Sequence, residues 1–307
     1  MANIMIMTIN ASKDFHTLCS RKSSNDADPI VMVTAYDAPT MRYADKAQAD
    51  IVLVGDSAAM VMLGYESTIS MTQEEMEMLV RAVCRVNEKL PVVVDMVWGS
   101  YHVSPEQAVS NAIKLIHAGA NAVKVEGGVE RVDTIRALVA AQIPVVAHVG
   151  LTPQSILELG SYNVQGKEFS KAQKVLEDSR AVANAGASML VIECVPDALS
   201  RTITEELSIP VIGIGAGRHV DGQVLVIHDI LGIGDSKKPK FVREYENIEE
   251  KAVKALKNYC DDVRNKTFPS SEETYHMADD VVSELQKLDK NTANDASSRE
   301  NSEKHPA

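Results

Sequence analysis

The stretch IVLVGDS (residues 51–57) carries the pattern that decides the fold, because a short run rich in Val and Ile ends there in polar residues. The chain repeats this pattern at fairly regular intervals. Such runs show no alternation between apolar and polar residues, which is typical of parallel strands covered on both faces. The predicted strands are 30–36, 51–55, 91–94, 122–125, 144–147, 189–192, 210–214 and 222–227.

Stretches with helical spacing lie between these strands. Eight strand-then-helix units predict an α/β fold, a closed (β/α)₈ TIM barrel, whose active sites lie at the C-terminal ends of the strands. Several of the runs end on polar residues that can do chemistry, so the sequence also predicts where the active site lies. The predicted helices are 73–89, 105–118, 129–141, 172–185 and 197–207.

The chain has 307 residues, which fits one barrel of about 250 residues with extensions. We predict a single catalytic domain over residues 1–285, with a short N-terminal helix within 11–22 that closes the bottom of the barrel. The polar segment 162–170 is expected to be a mobile loop over the active site. Residues 286–307 are nearly free of large apolar side chains, so we predict a disordered C-terminal tail.

The composition indicates which classes of partner the protein has. A formal net charge of −12 argues against non-specific nucleic-acid binding, which needs clustered cations. No apolar run approaches the roughly 20 residues of a membrane-spanning helix. The four cysteines form no CxxC pair and no metal-ligand spacing, so we expect reduced thiols in a cytoplasmic protein. The expected partners are therefore small molecules.

Three carboxylates, Asp56, Asp95 and Glu126, follow three successive predicted strands. Neighbouring strands are about 4.8 Å apart, so these side chains can converge on one cation. Oxygen ligands favour Mg²⁺ over zinc, which prefers His or Cys. Each carboxylate by itself could instead cap the helix that follows it, but the three together favour a metal site.

Three further polar residues lie at strand ends. Lys124 points the same way as Glu126, two residues further on, and its charge suits either a substrate carboxylate or oxo group or a structural carboxylate. Glu193 is expected to be an isolated carboxylate that acts as general base, with helix capping as the alternative. His148 is either a donor to a developing oxyanion or a hydrogen-bonded core histidine.

Two features next to these residues are assigned structural roles. The run GIGAG (213–217) follows the seventh strand, where barrels often bind phosphate. A GxGxG run alone is a weak signal, and we expect tight-turn geometry there instead. Cys194 is expected to be a buried small side chain rather than a nucleophile.

A set of motifs in the same order resembles the ketopantoate hydroxymethyltransferase family of pantothenate biosynthesis. The resemblance implies a barrel of the phosphoenolpyruvate/pyruvate superfamily and Mg²⁺. It also implies hydroxymethyl transfer from 5,10-methylenetetrahydrofolate to 3-methyl-2-oxobutanoate through an enolate, and a homo-oligomer, often a decamer. The motifs are MVTAYDAPT (32–40), VGDSAAMVMLGYEST (54–68), VVDMVWGSY (93–101), AVKVEGG (122–128), AHVGLTPQS (147–155), VIECVP (191–196), IGIGAG (212–217), QVLVIHDILG (223–232) and FPSSEE (268–273).

The resemblance also implies roles for individual residues. Asp56 and Asp95 match the metal ligands, with Glu126 as a further carboxylate on the metal side, and Glu193 matches the proton acceptor. Val97-Trp98 departs from the Pro-Phe that the family more often has, which is expected to reshape the pocket wall. The predicted substrate contacts are Asp56, Ser57, Asp95, Lys124 and His148.

Two other functions fit parts of the pattern. A Mg²⁺-dependent C–C lyase or oxo-acid mutase of the same superfamily would also use an acidic ring. The lyases carry a Lys-Lys-Cys-Gly loop, however, and this chain has no Cys-Gly dipeptide. A non-catalytic barrel that serves as scaffold or ligand sensor would be indicated by the loss of a metal ligand or of Glu193, and neither is lost.

Overall fold

The computed structural model describes residues 15–22, 28–234 and 238–288. Its centre is a closed barrel of eight parallel strands in sequence order, which confirms the predicted (β/α)₈ fold. The first strand pairs with the last, and Ile30 lies opposite Gly222. The strands are β1 (Ile30–Thr34), β2 (Ile51–Val54), β3 (Val92–Asp95), β4 (Ala122–Glu126), β5 (Val145–Gly150), β6 (Met189–Glu193), β7 (Val211–Ile214) and β8 (Gly222–Leu225).

Helices alternate with most of the strands along the chain. Several begin at residues with clear capping chemistry: Thr72 and Glu75 form a reciprocal capping box at one helix, and Ser104 caps another that starts with Pro105. The helices are α1 (Phe15–Cys19), α2 (Ala38–Lys46), α3 (Ala58–Val61), α4 (Gln73–Val86), α5 (Pro105–Ala118), α6 (Val132–Ala140), α7 (Ile156–Leu159), α8 (Phe169–Asn184), α9 (Asp197–Glu206), α10 (Ile227–Leu231) and α11 (Ile248–Arg264).

The core has an inner and an outer layer. Inside the barrel, Ile51, Val93 and Met189 are fully buried, and Phe15 and Leu18 of α1 belong to the same apolar cluster. The short N-terminal helix therefore closes the barrel bottom as predicted, although residues 11–14 lie outside the described part of the chain. The outer layer packs the other faces of the strands against the helices.

The segment predicted as a loop over the active site is shorter than expected. The prediction placed it at 162–170, but α8 already begins at Phe169. Its first part is irregular, with Gly166 in the left-handed region at φ 75°. A β-carbon at Gly166 would come within 2.5 Å of Leu199, so this backbone lies directly on α9.

Backbone contacts divide the chain into two compact units, Met1–Ile248 and Glu249–Ala307. The second contains most of α11, which has no buried residue, and a further helix over 279–288. The predicted tail, 286–307, begins inside that helix and continues from 289 outside the described residues. The division into a domain over 1–285 and a tail stays a prediction. In the described ranges, no helix is long and apolar enough to span a bilayer.

Candidate active site

A cavity of about 340 Å³ lies at the C-terminal ends of the barrel strands. The sequence places its candidate residues at this end of the barrel because each follows a strand, and the structure brings them all to the wall of one cavity. They are Asp56, Ser57, Asp95, Lys124, Glu126, His148 and Glu193.

Asp56 and Asp95 form the most acidic part of the wall, and both are buried. The Asp56 backbone N–H donates to Asp95 Oδ2 at 3.0 Å. Asp95 Oδ1 lies 3.0 Å from Lys124 Nζ, yet it accepts no well-aligned hydrogen bond. Burial raises the pKa of Asp56 well above its usual range, and the charges of Asp95 and Glu126 add to this effect. Asp56 is therefore buried among carboxylates that repel its charge.

Lys124 lies at the centre of the charged cluster and is 4% exposed. Its Nζ is 3.6 Å from Glu126 Oε1 and 3.1 Å from His148 Nδ1. Burial disfavours its charge, but the carboxylates outweigh this cost and hold the pKa of Lys124 above its ordinary value. Burial likewise opposes the charge of Glu126, but Lys124 and His148 lower the pKa of Glu126 to about 2. Lys124 thus pairs with carboxylates and also faces the cavity.

His148 connects the acidic cluster to Glu193. Its Nδ1 lies 3.4 Å from Glu126 Oε1, and its Nε2 lies 3.3 Å from Glu193 Oε2, without hydrogen-bond alignment. Burial and the Lys124 charge lower the pKa of His148, but the two carboxylates outweigh them and raise it to about 9. Glu193 is therefore not the isolated carboxylate that the sequence predicts, because a cationic ring lies beside it.

Ser57 lies at the start of α3, where its side chain makes no capping hydrogen bond. Its Oγ is instead 2.8 Å from the hydroxyl of Tyr36, a fully buried residue just after β1. Burial raises the pKa of Tyr36, so the phenol stays neutral. A β-carbon at Gly55 would come within 2.9 Å of Ser57 Oγ, so the glycine leaves room for this hydroxyl.

Gln154 is a buried residue of the site that sequence reasoning missed. Its Nε2 donates to Asp56 Oδ2 at 2.8 Å and to the Met96 carbonyl at 2.9 Å. Its backbone N–H donates to Glu126 Oε2 at 3.0 Å, and its Oε1 accepts from Tyr101 at 2.6 Å. Gln154 belongs to one of the quoted motifs, but a glutamine in a polar loop gives no local sign of these distant contacts.

The glycine run 213–217 and Cys194 have structural surroundings in the fold, as the sequence analysis expects. Gly215 has φ 63°, and a β-carbon there would come within 2.7 Å of the Phe241 ring. Gly217 lies against Asp197 in the same way. Cys194 is buried at φ 48°, and burial raises the pKa of its thiol to about 12, which leaves it unreactive. Neither Val97 nor Trp98 is among the residues that line the cavity, and their effect on its wall stays a prediction.

Comparison with known protein families identifies the family of this chain. The family model described as ketopantoate hydroxymethyltransferase matches residues 14–271. The chain belongs to the ketopantoate hydroxymethyltransferase family. A relative from Geobacillus kaustophilus, named 3-methyl-2-oxobutanoate hydroxymethyltransferase, is 52% identical over 254 residues, which cover 82% of this chain and 91% of the relative. A Bacillus licheniformis relative of the same name is 48% identical, with 86% and 96% covered.

A solved structure of lower similarity shares the fold. The phosphoenolpyruvate phosphomutase from Streptomyces platensis subsp. rosaceus matches with a TM-score of 0.54 and 15% sequence identity. The match covers 89% of this chain and 95% of that chain. At this identity the likeness concerns the barrel alone.

The charges of this ketopantoate hydroxymethyltransferase family member fit a divalent cation. The described side chains contain no ready-made group of three or more Asp, Glu, His or Cys ligands for a metal. Asp56 and Asp95 nevertheless both face the cavity, Asp95 Oδ1 is ion-paired with Lys124 but accepts no aligned hydrogen bond, and the pKa of Asp56 is raised. Mg²⁺ is typically held by one or two carboxylates with water and substrate oxygens as its other ligands. The residues present therefore fit Mg²⁺.

Proposed function

We propose that this protein transfers a hydroxymethyl group from 5,10-methylenetetrahydrofolate to 3-methyl-2-oxobutanoate, giving ketopantoate (2-dehydropantoate) for pantothenate and coenzyme A biosynthesis. Relatives of this name cover most of the chain. The observation that carries the proposal is the buried cluster of Lys124 among Asp56, Asp95 and Glu126, which reaches Glu193 through His148. We also place the protein in the cytoplasm, because none of its four cysteines, all within the described residues, forms a disulfide.

The reaction needs more than a base. The C3 proton of the oxo acid lies about fifteen pKa units above a carboxylic acid, so transfer to Glu193 alone would be uphill by about 20 kcal/mol. A turnover of about 10 s⁻¹ allows a barrier near 16 kcal/mol. Charge stabilisation in the cavity must supply the difference. A bound Mg²⁺ supplies Lewis-acid stabilisation of negative charge on the ketone oxygen.

Different residues of this chain would bind the metal, bind the oxo acid and accept the proton. Asp56 and Asp95 would hold the metal, and Glu126 adds negative charge on the metal side while it keeps Lys124 and His148 charged. Lys124 and Ser57 would donate to the oxygens of the oxo acid. Glu193 would accept the C3 proton. The electron pair of the broken C3–H bond moves towards the ketone oxygen as the enolate forms.

The remaining steps form the product. One C–N bond of the methylene bridge breaks with its electron pair on that nitrogen, which takes a proton, and the other nitrogen then carries the one-carbon unit as an iminium. Water adds to the iminium carbon, the second C–N bond breaks with its electron pair on nitrogen, which takes a proton from the water, and formaldehyde is left in the cavity. The enolate carbon C3 attacks the formaldehyde carbon, a C–C bond forms, and the new alkoxide takes the proton held by Glu193. His148, between Glu126 and Glu193, orients the Glu193 carboxylate throughout.

The direct test is ketopantoate formation from 3-methyl-2-oxobutanoate and methylenetetrahydrofolate, with and without EDTA. We expect product only when a divalent cation is present, and restoration of activity when Mg²⁺ is added in excess of EDTA. Full activity in EDTA would contradict the metal assignment. Absence of product under all conditions, from a protein with a normal unfolding transition, would contradict the function.

We further propose that the protein is a homo-oligomer. The described C-terminal unit exposes an apolar stripe on α11, at positions three or four residues apart, although monomeric proteins rarely expose large apolar patches. The stripe consists of Val253, Leu256, Tyr259 and Val263, which are 59%, 64%, 53% and 44% exposed. A second copy of the chain is the partner that the family resemblance implies, with a decamer as the expected assembly.

A further inference from the structure

The cavity has two unlike sides, and the proposed chemistry uses only one of them. The charged residues come from β2 to β6 and their loops. The opposite side follows β7 and β8 and is apolar except for one carboxylate. We call this second side the donor lobe, which is lined by Ile214, Leu225, Val226, Asp229, Pro239 and Phe241.

The cavity has more volume than the small oxo acid alone would fill. Its volume of about 340 Å³ lies within the range of roughly 300–1,000 Å³ typical of pockets for drug-sized ligands. The oxo acid is much smaller than such a ligand. If the oxo acid lies on the charged side, where all its proposed contacts are, the donor lobe has room for a second compound.

The donor lobe begins beside the proposed base. Glu193 is opposite Ile214 in the register between β6 and β7, and Ile214 is the first residue of the lobe. A compound in the lobe would therefore lie next to the carbon from which Glu193 takes a proton. A one-carbon donor requires this placement, because the enolate carbon must reach the one-carbon unit to form the C–C bond.

The shape of the lobe suits a flat ring. Phe241 lies on the backbone of Gly215, where any β-carbon would come within 2.7 Å of the ring. The glycine run thus brings an aromatic ring to the cavity wall. Pro239 adds a second rigid apolar surface in the same segment. Aromatic rings favour offset stacking with other flat rings.

Asp229 supplies the polar contact of the lobe. It belongs to the first turn of α10 and is half-buried, and no described residue donates a hydrogen bond to its carboxylate. Burial raises the pKa of Asp229, against the opposing charge of Lys238. An acceptor that is partly desolvated and lacks a donor gains most from a ligand that brings N–H groups.

We propose that the donor lobe binds the fused ring of the folate, with Phe241 stacked on the ring and the Asp229 carboxylate accepting its neighbouring N3–H and 2-amino N–H. A carboxylate with two oxygens matches this pair of parallel donors. The inference rests on the proposed function, because it names the subsite of the donor in that reaction. Asp229 is here a binding residue and takes no part in proton transfer.

The first test measures binding rather than turnover. Calorimetry compares tetrahydrofolate with p-aminobenzoylglutamate, which lacks the fused ring, on the wild type, on Asp229→Asn and on Asp133→Asn. Asp133 is an exposed carboxylate outside the cavity, so its variant is the matched control. We expect Asp229→Asn to weaken tetrahydrofolate binding roughly 10- to 100-fold, with the fragment and the control unchanged.

Each other outcome has a definite meaning. Equal weakening of both compounds, or tetrahydrofolate affinity within twofold of the wild type, overturns the assignment of Asp229. If the fragment binds to none of the three proteins, the fused ring is the source of the affinity. The expected weakening of tetrahydrofolate binding in Asp229→Asn then still supports the proposal. Phe241→Leu keeps an apolar side chain and should also weaken tetrahydrofolate; an unchanged affinity overturns the stacking.

A second experiment separates this inference from the proposed function. Exchange of the C3 proton of 3-methyl-2-oxobutanoate in D₂O with Mg²⁺ needs no folate, and Asp229→Asn should exchange at the wild-type rate. Loss of exchange in this variant would overturn the inference, because Asp229 would then act on the oxo acid. If the wild type itself fails to exchange while tetrahydrofolate binding still depends on Asp229, the proposed function fails and the subsite stands.

Discussion

Gln154 Nε2 lies 2.8 Å from Asp56 Oδ2 and donates a hydrogen bond to it inside the protein. The two residues are far apart in the chain, in the loops after β5 and β2. The same amide also donates a hydrogen bond to the Met96 carbonyl. The Gln154 backbone N–H donates one to the Glu126 carboxylate. One uncharged residue, through its side chain and its backbone N–H, therefore joins three neighbouring strand ends of the acidic cluster.

Replacing Gln154 by Met keeps the size of the side chain but removes its donors and its acceptor. Asp56 Oδ2 and the Met96 carbonyl lose a donor, and the Tyr101 hydroxyl loses the nearer of its two acceptors. We expect the free energy of unfolding to fall by about 2–5 kcal/mol, since each unsatisfied buried group costs about 1–3 kcal/mol. Urea unfolding measures this change. Gln165→Met, which loses only an exposed local bond, is the control, and an equal effect in both variants would contradict the prediction.

Asp95→Asn should impair metal-dependent binding of the oxo acid. The amide oxygen can still accept the Asp56 N–H, while one negative charge and the ion pair with Lys124 are lost. Changing a second-sphere partner typically costs 10- to 100-fold in metal affinity, so loss of a direct ligand should cost more than about tenfold. Calorimetric titration of 3-methyl-2-oxobutanoate with and without Mg²⁺ tests this. Wild-type affinity in the variant would exclude Asp95 as a ligand.

Glu193→Gln should bind oxo acid and Mg²⁺ almost normally yet fail to exchange the C3 proton. Glutamine preserves volume and hydrogen-bonding reach but cannot accept a proton at neutral pH. We expect exchange in D₂O, followed by NMR, to slow by at least roughly 100-fold. Exchange at the wild-type rate would show that a group other than Glu193 is the base.

Leu256→Glu should disrupt the proposed oligomer. Leu256 is 64% exposed within the apolar stripe of α11, and a buried unpaired charge at a subunit contact is strongly unfavourable. Light scattering after size exclusion should give a lower mass for this variant. Asn258→Glu, on another face of the same helix, should keep the wild-type mass. A wild-type mass for Leu256→Glu would mean that this stripe is not the interface.

Because of His102, the free energy of unfolding should fall in mild acid. Its Nδ1 accepts the Gly99 N–H at 3.2 Å, and burial, with the Arg131 charge, lowers the pKa of His102 to about 4. In the unfolded chain histidine titrates near pH 6.5. The unfolded state therefore binds more protons between these values, and this contribution to stability is complete above pH 6.5 and lost as the pH falls towards 4.

Urea unfolding at pH 7.5 and pH 5.0 tests the His102 prediction. The loss of free energy of unfolding between the two conditions should be smaller in His102→Gln than in the wild type. The variant should otherwise fold, because glutamine can still accept the Gly99 N–H. An identical loss in both proteins would show that His102 does not contribute to the acid sensitivity.

Local sequence determines much of the barrel. The predicted strand over 144–147 is observed at Val145–Gly150, and the predicted helix over 105–118 is observed at its full extent. Helix α2 was missed, although Asp37 and Thr40 form a capping box around a proline near its start. The signal was present in the sequence, but a helix of nine residues between two apolar runs is hard to distinguish from a loop.

The sequence by itself determined the fold and the end of the barrel where the chemistry lies, because Val- and Ile-rich runs form strands and parallel strands place their C-terminal residues together. Only the tertiary structure decided which groups touch. The contact of Gln154 with Asp56, that of His148 with Glu193 and the Phe241 ring on Gly215 join distant segments. Such contacts depend on strand register and loop path, and burial sets their electrostatics, so no local pattern of residues specifies them.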